Sequence, residues 1–137
     1  KHEAFIFDID GTLAIKGDRS IFDYSKVGLD LPNKNLIITL KALYKGMYDI
    51  IICSGREDLC REATTEWLQT HLTMKGFDLF MRKAGDFRKD SVIKQEIYEQ
   101  YVKPRWDVVA VFDDRDQVVE MWRGLGLSCY QVNYGNF

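Results

Sequence analysis

Four short segments hold most of the side chains that could do chemistry: Asp8-Ile9-Asp10-Gly11-Thr12, Ser54-Gly55-Arg56, Arg88-Lys89-Asp90 and Asp113-Asp114-Arg115. In the first, two carboxylates stand two residues apart and can face one pocket. In the last, a second acidic pair follows another apolar run. If the two meet, three or four carboxylates converge, which is costly unless a cation shares the site. All-oxygen ligands argue for Mg²⁺ over Zn²⁺. Gly11 permits a tight turn beyond which backbone N–H groups can point at an anion. Ser54 and Gly55 offer a hydroxyl and more N–H donors, and Arg56 and Lys89 can neutralise the oxygens of a transferring phosphoryl group. Taken singly, each aspartate reads as a helix cap or a turn former. Taken together, at the ends of two apolar runs, they read as a phosphate site.

The elements that must position these groups are legible as alternating strands and helices. Residues 4–9 form a short apolar run closed by Asp-Gly, a buried strand ending in a turn. Residues 13–32 have no steady period and read as a flap, with room for a short hairpin. A helix follows, capped by Asn33 or Asn35, with Leu36, Ile37, Leu40, Leu43, Tyr44 and Met47 on its inner face and Gly46 as its stop. Residues 48–53 are a second strand, ended by Ser54-Gly55. Glu57 and Asp58 then fall in the first turn of a helix whose inner stripe is Ala63, Trp67, Leu68 and Leu72.

Residues 77–81 form a third strand, interrupted by Asp78. Asp90 or Ser91 caps a helix with Val92, Ile93, Ile97 and Tyr101 inward, closed by Pro104. Residues 108–112 are five apolar residues followed by two aspartates, a fourth strand. A helix over 116–125, Gly126 and a strand over 128–132 complete the chain. Because the strands are apolar throughout rather than alternating, the pattern predicts an α/β domain with a parallel sheet covered on both faces. Ligands of such sheets gather at the carboxyl ends of the strands, where all four segments fall.

Bulk properties narrow the class. A chain of 137 residues with 46% hydrophobic content is the size of one domain and too apolar for disorder. Its net charge of −2 excludes a global positive field for nucleic acid, so such contact needs a local patch. From Arg82 to Lys89 there are four Lys or Arg against one Asp, a modest strip of that kind. Cys53, Cys60 and Cys129 have no metal-binding spacing and read as reduced core thiols of a cytosolic protein. No stretch is long enough to span a membrane, the start carries no signal-peptide pattern, and there is no GxxxxGK[ST] run for ATP.

These segments, in this order, resemble the haloacid dehalogenase superfamily of aspartyl-phosphate phosphatases, whose strongest mark is the Asp-x-Asp-Gly-Thr element at Asp8. Ser54, Lys89 and Asp113-Asp114 fall where its other motifs would. A closer match is to the 3′-phosphatase half of bacteriophage polynucleotide kinase–phosphatase. It is carried by Gly17-Asp18-Arg19-Ser20 with Asp23-Tyr24-Ser25, by Ser54-Gly55-Arg56 and Arg88-Lys89-Asp90, and by the stretch from Asp113 through Gln117-Val118-Val119-Glu120-Met121-Trp122-Arg123 to Gln131-Val132. The connection after Arg56 is shorter here, and no kinase domain accompanies it, so 5′-kinase activity is not expected.

The resemblance implies a single domain over 1–137 with a three-layer, Rossmann-like fold: five parallel strands, helices on both faces, a flap over about 13–32 and no large cap. It implies that Asp8 is the nucleophile and Asp10 the general acid and base, the latter with a carboxyl raised by its crowded neighbours. Lys89 would offset charge on Asp8 and the phosphate. Thr12, Ser54, Gly55, Arg56 and Arg19 would hold phosphate oxygens, and Asp86 would orient Lys89 or an arginine. Mg²⁺ would sit on Asp8, the backbone carbonyl of Asp10 and the Asp113-Asp114 pair, with Asp114 the direct ligand and Asp113 direct or one sphere further out.

The substrate implied is the 3′-phosphate of a DNA or RNA end, met in the cytoplasm (the host's, for a phage protein), with Tyr24 a candidate for stacking on a sugar or base. Two alternatives stand beside it: a general phosphatase of nucleotides or small metabolites, and a non-catalytic phosphate-binding module.

Overall fold

The structure, a computed structural model, describes residues 1–15, 27, 28 and 30–137. The chain begins with β1 (His2–Phe7), then pairs β2 (Ala14–Ile15) with β3 (Leu31–Pro32) as a two-residue antiparallel ribbon at the base of the flap. There follow α1 (Lys34–Lys45), β4 (Asp49–Glu57), a 3₁₀ turn (Asp58–Cys60), α2 (Arg61–Leu72) and β5 (Phe77–Arg82). The second half holds α3 (Asp90–Ile97), a π-turn (Tyr98–Val102), β6 (Trp106–Asp113), α4 (Asp116–Gly124) and β7 (Cys129–Gln131).

Five strands form one sheet in the order β5-β4-β1-β6-β7, every neighbouring pair parallel. Strand alternation sends β1's side chains to two separate cores. Ala4 and Ile6 pack with Ile51, Val111 and the α3–α4 residues Ile93, Ile97, Val118, Val119 and Trp122. Phe5 and Phe7 pack with Ile50, Ile52 and the α1–α2 residues Ile37, Leu40, Trp67 and Leu68. Each wholly buried Ile, Leu or Phe contributes about 2 kcal/mol, which is why a strand at the centre of a doubly covered sheet must be apolar toward both faces. The expected five-stranded α/β architecture is the one found. Asp78, which interrupts the third apolar run, sits on an edge strand and is only half buried.

Several local readings change. Tyr44 and Met47, expected on the inner face of α1, are both exposed, and Met47 lies beyond the helix. The second strand does not stop at Ser54 but runs to Glu57, so Ser54 and Gly55 lie in a strand and the next helix starts only at Arg61. The inner stripe of α2 starts at Thr64, with Ala63 exposed. On α3 the buried face is Ile93, Lys94 and Ile97, while Val92 and Tyr101 are exposed. Val92 and Ile93 are adjacent, so only one of them can lie at the centre of the helix's inner face, and it is Ile93. Asn33, not Asn35, caps α1: its Oδ1 accepts from the Leu36 N–H at 3.3 Å, and its Nδ2 donates to the Thr12 carbonyl at 2.9 Å. The cap thereby ties the flap base to the first motif. No described helix is long and apolar enough to cross a membrane.

Candidate active site

In the strand order, the chain leaves β1 toward β4 on one side and returns toward β6 on the other, so the carboxyl ends of β1 and β6 flank the switch point. Asp8 follows β1 and Asp113 ends β6, and the Asp8 N–H donates to the Phe112 carbonyl at 3.0 Å. The structure therefore brings the two acidic motifs side by side. Asp8, Asp113 and Asp114 are buried and can each offer a carboxylate oxygen such that all lie within 4.8 Å of one another.

The lysine in this cluster is Lys94, not Lys89. Its Nζ donates to Asp8 Oδ1 at 2.7 Å and to Asp113 Oδ2 at 3.0 Å, and Asp90 lies 3.8 Å away. Lys89 is the exposed N-cap of α3, one turn too early to reach the carboxylates. Parity explains the geometry. Asp8 and Asp113 point toward the face covered by α3 and α4, and the buried stripe of α3 passes through Lys94. From α4, Trp122 Nε1 donates to Asp113 Oδ2 at 3.1 Å, while Asp113 Oδ1 accepts the Asp114 N–H at 2.8 Å. Both Asp113 oxygens are thus occupied.

Thr12 is wholly buried and its hydroxyl donates to Asp8 Oδ2 at 3.1 Å. Gly11 has φ +79°, and a Cβ there would lie 2.0 Å from Asp114 Oδ2. Asp114's carboxylate occupies the space that any other residue would fill. Gly55 plays a matching part, since its Cβ would lie 1.9 Å from Asp90 Oδ1. Ser54 is buried, and its hydroxyl accepts the Arg56 N–H at 3.1 Å.

Arg56 has partners that sequence reasoning did not foresee. It points to the opposite sheet face from Gly55 and is 1% exposed. Its Nε and Nη2 donate to the two oxygens of Asp10 at 2.9 and 2.8 Å, Nη2 also to Asp30 Oδ2 at 2.9 Å, and Nη1 to Thr64 Oγ1 at 3.1 Å. Its guanidinium therefore acts first on Asp10, by a bidentate fork, rather than lying open for phosphate. Asp10 is not one of the three carboxylates that meet at the strand ends. Asp30 is itself anchored, its carbonyl accepting from Trp67 Nε1 at 2.9 Å.

Asp86 orients an arginine. Its carboxylate accepts from Arg88 Nε and Nη2 at 2.9 and 2.8 Å, and these bonds hold its carboxyl down at about 2. Arg88 also grips Glu96, and Arg82 donates to the carbonyls of Gly55, Asp86 and Arg88. Of the four basic residues in this strip, the two arginines are thus engaged within the chain, and Lys83 and Lys89 are the exposed cations with no side-chain partner among the described residues. Arg19 and Tyr24 lie outside the described residues.

Burial, with Asp113 alongside, raises the Asp8 carboxyl well above the usual range. Burial and Asp113 likewise push Asp114 up to about 6, and Asp114 shares a hydrogen bond with Asp8. Burial opposes the Lys94 charge, but Asp113, Asp8 and Asp90 outweigh it and keep the ammonium protonated. One lysine thus faces three buried carboxylates. That excess of carboxyl groups and the oxygen-only donors fit a hard divalent cation such as Mg²⁺. The cysteines do not take part: all three are free and buried, and burial raises Cys53 and pushes Cys129 to about 12.

Sequence reasoning missed Lys94, Asp30 and Thr64. Lys94 did leave a signal, a charge between Ile93 and Ile97 on an otherwise apolar stripe.

Comparison with known proteins matches residues 2–137 to the family model of the polynucleotide kinase PNKP phosphatase domain, of haloacid dehalogenase type. A protein of Autographa californica nuclear polyhedrosis virus, provisionally named a bifunctional polynucleotide kinase/RNA ligase, is 36% identical over 125 residues, covering 89% of this chain and 18% of its own. A chain in the structure of the Pnkp1/Rnl/Hen1 RNA repair complex superposes with a TM-score of 0.94 at 39% identity, over 99% of this chain and 44% of that one. A second Pnkp1/Rnl/Hen1 structure gives 0.93 at 39%, over 98% and 47%. The present chain spans less than half the length of each of these relatives.

Proposed function

Because this chain belongs to the PNKP phosphatase-domain family, we propose that it removes phosphate from the 3′ ends of RNA or DNA, with Asp8 as nucleophile and Mg²⁺ as cofactor. One observation carries the reading: the Asp8 carboxylate is held on one oxygen by Lys94 and on the other by Thr12, beside two further carboxylates.

In this reaction an Asp8 oxygen attacks phosphorus, the new O–P bond forms as the bond to the 3′ oxygen breaks, and an aspartyl-phosphate results. The departing 3′ oxygen takes a proton from Asp10. A water then attacks the phosphorus, gives its proton to Asp10 and restores the Asp8 carboxylate. Lys94 fixes the rotamer of Asp8 and lessens its repulsion of an incoming phosphate anion. Arg56 positions Asp10, whose side chain is 42% exposed at the mouth of the site, and Asp10 must release one arm of that fork to carry a proton. Thr12, Ser54 and Gly55 supply nearby donors for phosphate oxygens, and the family resemblance adds Arg19 to that set. Bound to Asp8, Asp114 and the Asp10 carbonyl, with Asp113 behind, Mg²⁺ would neutralise charge on the phosphate.

Access supports a polymer end as substrate. Between β4 and β5 the chain makes only the short turn and α2, with no cap domain to close over the site. Relatives named for polynucleotide kinase and RNA repair support the same class.

The test is phosphate release from 3′- and 5′-phosphorylated RNA and DNA oligonucleotides and from a 3′-mononucleotide, each with Mg²⁺ and with EDTA. Release from 3′ ends in Mg²⁺ alone is expected. Equal kcat/KM on the mononucleotide would identify a general phosphatase, faster 5′ release would overturn the end preference, and no hydrolysis of any substrate would leave a binding module.

A further inference from the structure

Phe87 is 84% exposed, in the loop between β5 and α3. Arg82 binds the carbonyls of Gly55, Asp86 and Arg88 from beneath that loop, and Asp58 and Glu57 accept the N–H groups of Ala84 and Gly85 at 3.1 and 3.0 Å. Asp86, Arg88 and Glu96 lock its far side. A loop with this many braces holds its exposed aromatic in place rather than letting it collapse onto the surface. On either side in sequence stand Lys83 and Lys89, the cations with no internal partner among the described residues.

The loop is also continuous with the site. It ends at Asp90, whose carboxylate lies against Gly55 and near Lys94, and three residues of extended chain span at most about 11 Å. Phe87 therefore lies within about 11 Å of Asp90 along the chain, in a loop that carries Lys83 before it and Lys89 after it. Aromatic faces flanked by backbone-neutralising lysines are what single-stranded nucleic acid requires, because every base has a face to stack and every link carries a charge.

We propose that Phe87 is a stacking platform for a base near the terminal phosphate of a single-stranded nucleic-acid end, with Lys83 and Lys89 on its backbone phosphates. The proposal rests on the reading of the site given above, and its test separates the two.

Binding of a fluorescent 3′-hydroxyl RNA oligonucleotide to the full chain is measured by anisotropy for wild type, Phe87→Ala and Phe87→Trp. In parallel, kcat and KM are measured on a 3′-phosphorylated oligonucleotide and on p-nitrophenyl phosphate. Phe87→Ala is expected to raise the oligonucleotide Kd and KM about five-fold or more. It should leave kcat and the p-nitrophenyl phosphate kinetics within two-fold, and Phe87→Trp should restore binding. Lys83→Ala should lower the salt slope of log Kd by about 0.7.

Unchanged oligonucleotide affinity in Phe87→Ala overturns the proposal, and is the outcome expected if Phe87 faces a protein partner. Equal damage to the small substrate also overturns it, by making the residue structural. If the wild type hydrolyses nothing, the phosphatase reading fails, while the binding comparison still decides the role of Phe87.

Discussion

Lys94 Nζ lies 2.7 Å from Asp8 Oδ1, and the same ammonium reaches Asp113 Oδ2 at 3.0 Å, so one helix-borne charge joins the ends of two neighbouring strands. Removing one partner of a buried pair leaves the other uncompensated, at a cost of about 3–5 kcal/mol. Lys94→Met should therefore lower unfolding free energy in EDTA by roughly that amount. It should also cut kcat about 100-fold or more, the usual scale for a lost electrostatic contact at the reacting atoms. Lys89→Ala, at an exposed helix cap, should leave stability and turnover of a small aryl phosphate nearly unchanged. Urea titration and initial rates check both; equal effects would return Lys89 to the site.

Asp8→Asn keeps the shape of the side chain and its acceptor for Thr12 but removes the nucleophile. Activity should fall to background while the far-ultraviolet circular dichroism stays that of wild type. Wild-type turnover in this variant would remove the covalent route.

The pushed-up carboxyls of Asp8 and Asp114 fix the sign of the pH dependence. With Asp114 at about 6, the metal-free fold holds protons that the unfolded chain has lost above about 4. Its stability should fall as pH rises through about 4 to 6. Mg²⁺ should reverse that loss above pH 6, by about 2.7 kcal/mol at one hundred times its Kd, and should do little where protons compete for the same oxygens. Thermal melts in EDTA and in Mg²⁺ across this range are the check. Superimposed curves at neutral pH would remove the cation from the site.

Gly11→Ala combines a left-handed backbone with a Cβ 2.0 Å from Asp114 Oδ2. The strain is about 1–3 kcal/mol, and Asp114 has to move. Activity and the Mg²⁺-dependent rise in Tm should fall together. Gly85→Ala also strains a positive φ, but its Cβ meets nothing within 4 Å, so it should cost stability alone.

Arg56→Lys cannot form the fork on Asp10 and leaves Asp30 with a poorer partner. If Arg56 acts through Asp10, kcat should drop at least ten-fold, with the acid limb of the pH–rate profile displaced and KM little changed. A rise in KM alone would mean that the guanidinium binds phosphate itself.

Continuous apolar runs punctuated by Asp-Gly, Ser-Gly and Asp-Asp were enough to predict a parallel sheet and to place Asp8, Asp113 and Asp114 at its carboxyl edge. Those inferences rest on local pattern: burial on both faces demands apolar strands, and polar residues can follow only where the strand leaves the core. Arg56 and Lys94 were less legible, for opposite reasons. Arg56 looked like a loop residue because Ser-Gly reads as a stop, yet β4 continues and its alternation turns the guanidinium inward. Lys94 drew no role because a phase with Val92, Ile93, Ile97 and Tyr101 inward leaves its charge unassigned, whereas the buried face is Ile93, Lys94 and Ile97.

The amino-acid order alone thus determined the layers, the strand ends and the acidic groups offered to a phosphate. Tertiary packing decided the rest: which lysine meets Asp8, that Arg56 clamps Asp10 against Asp30, and that Asp113 is held by Lys94 and Trp122. Burial patterns repeat every two or four residues and can be read along the chain. The hydrogen-bonded charge partners of Lys94 and Arg56 lie 19 to 86 residues away, and only the docking of α3 and of Asp30 onto one sheet chooses among them.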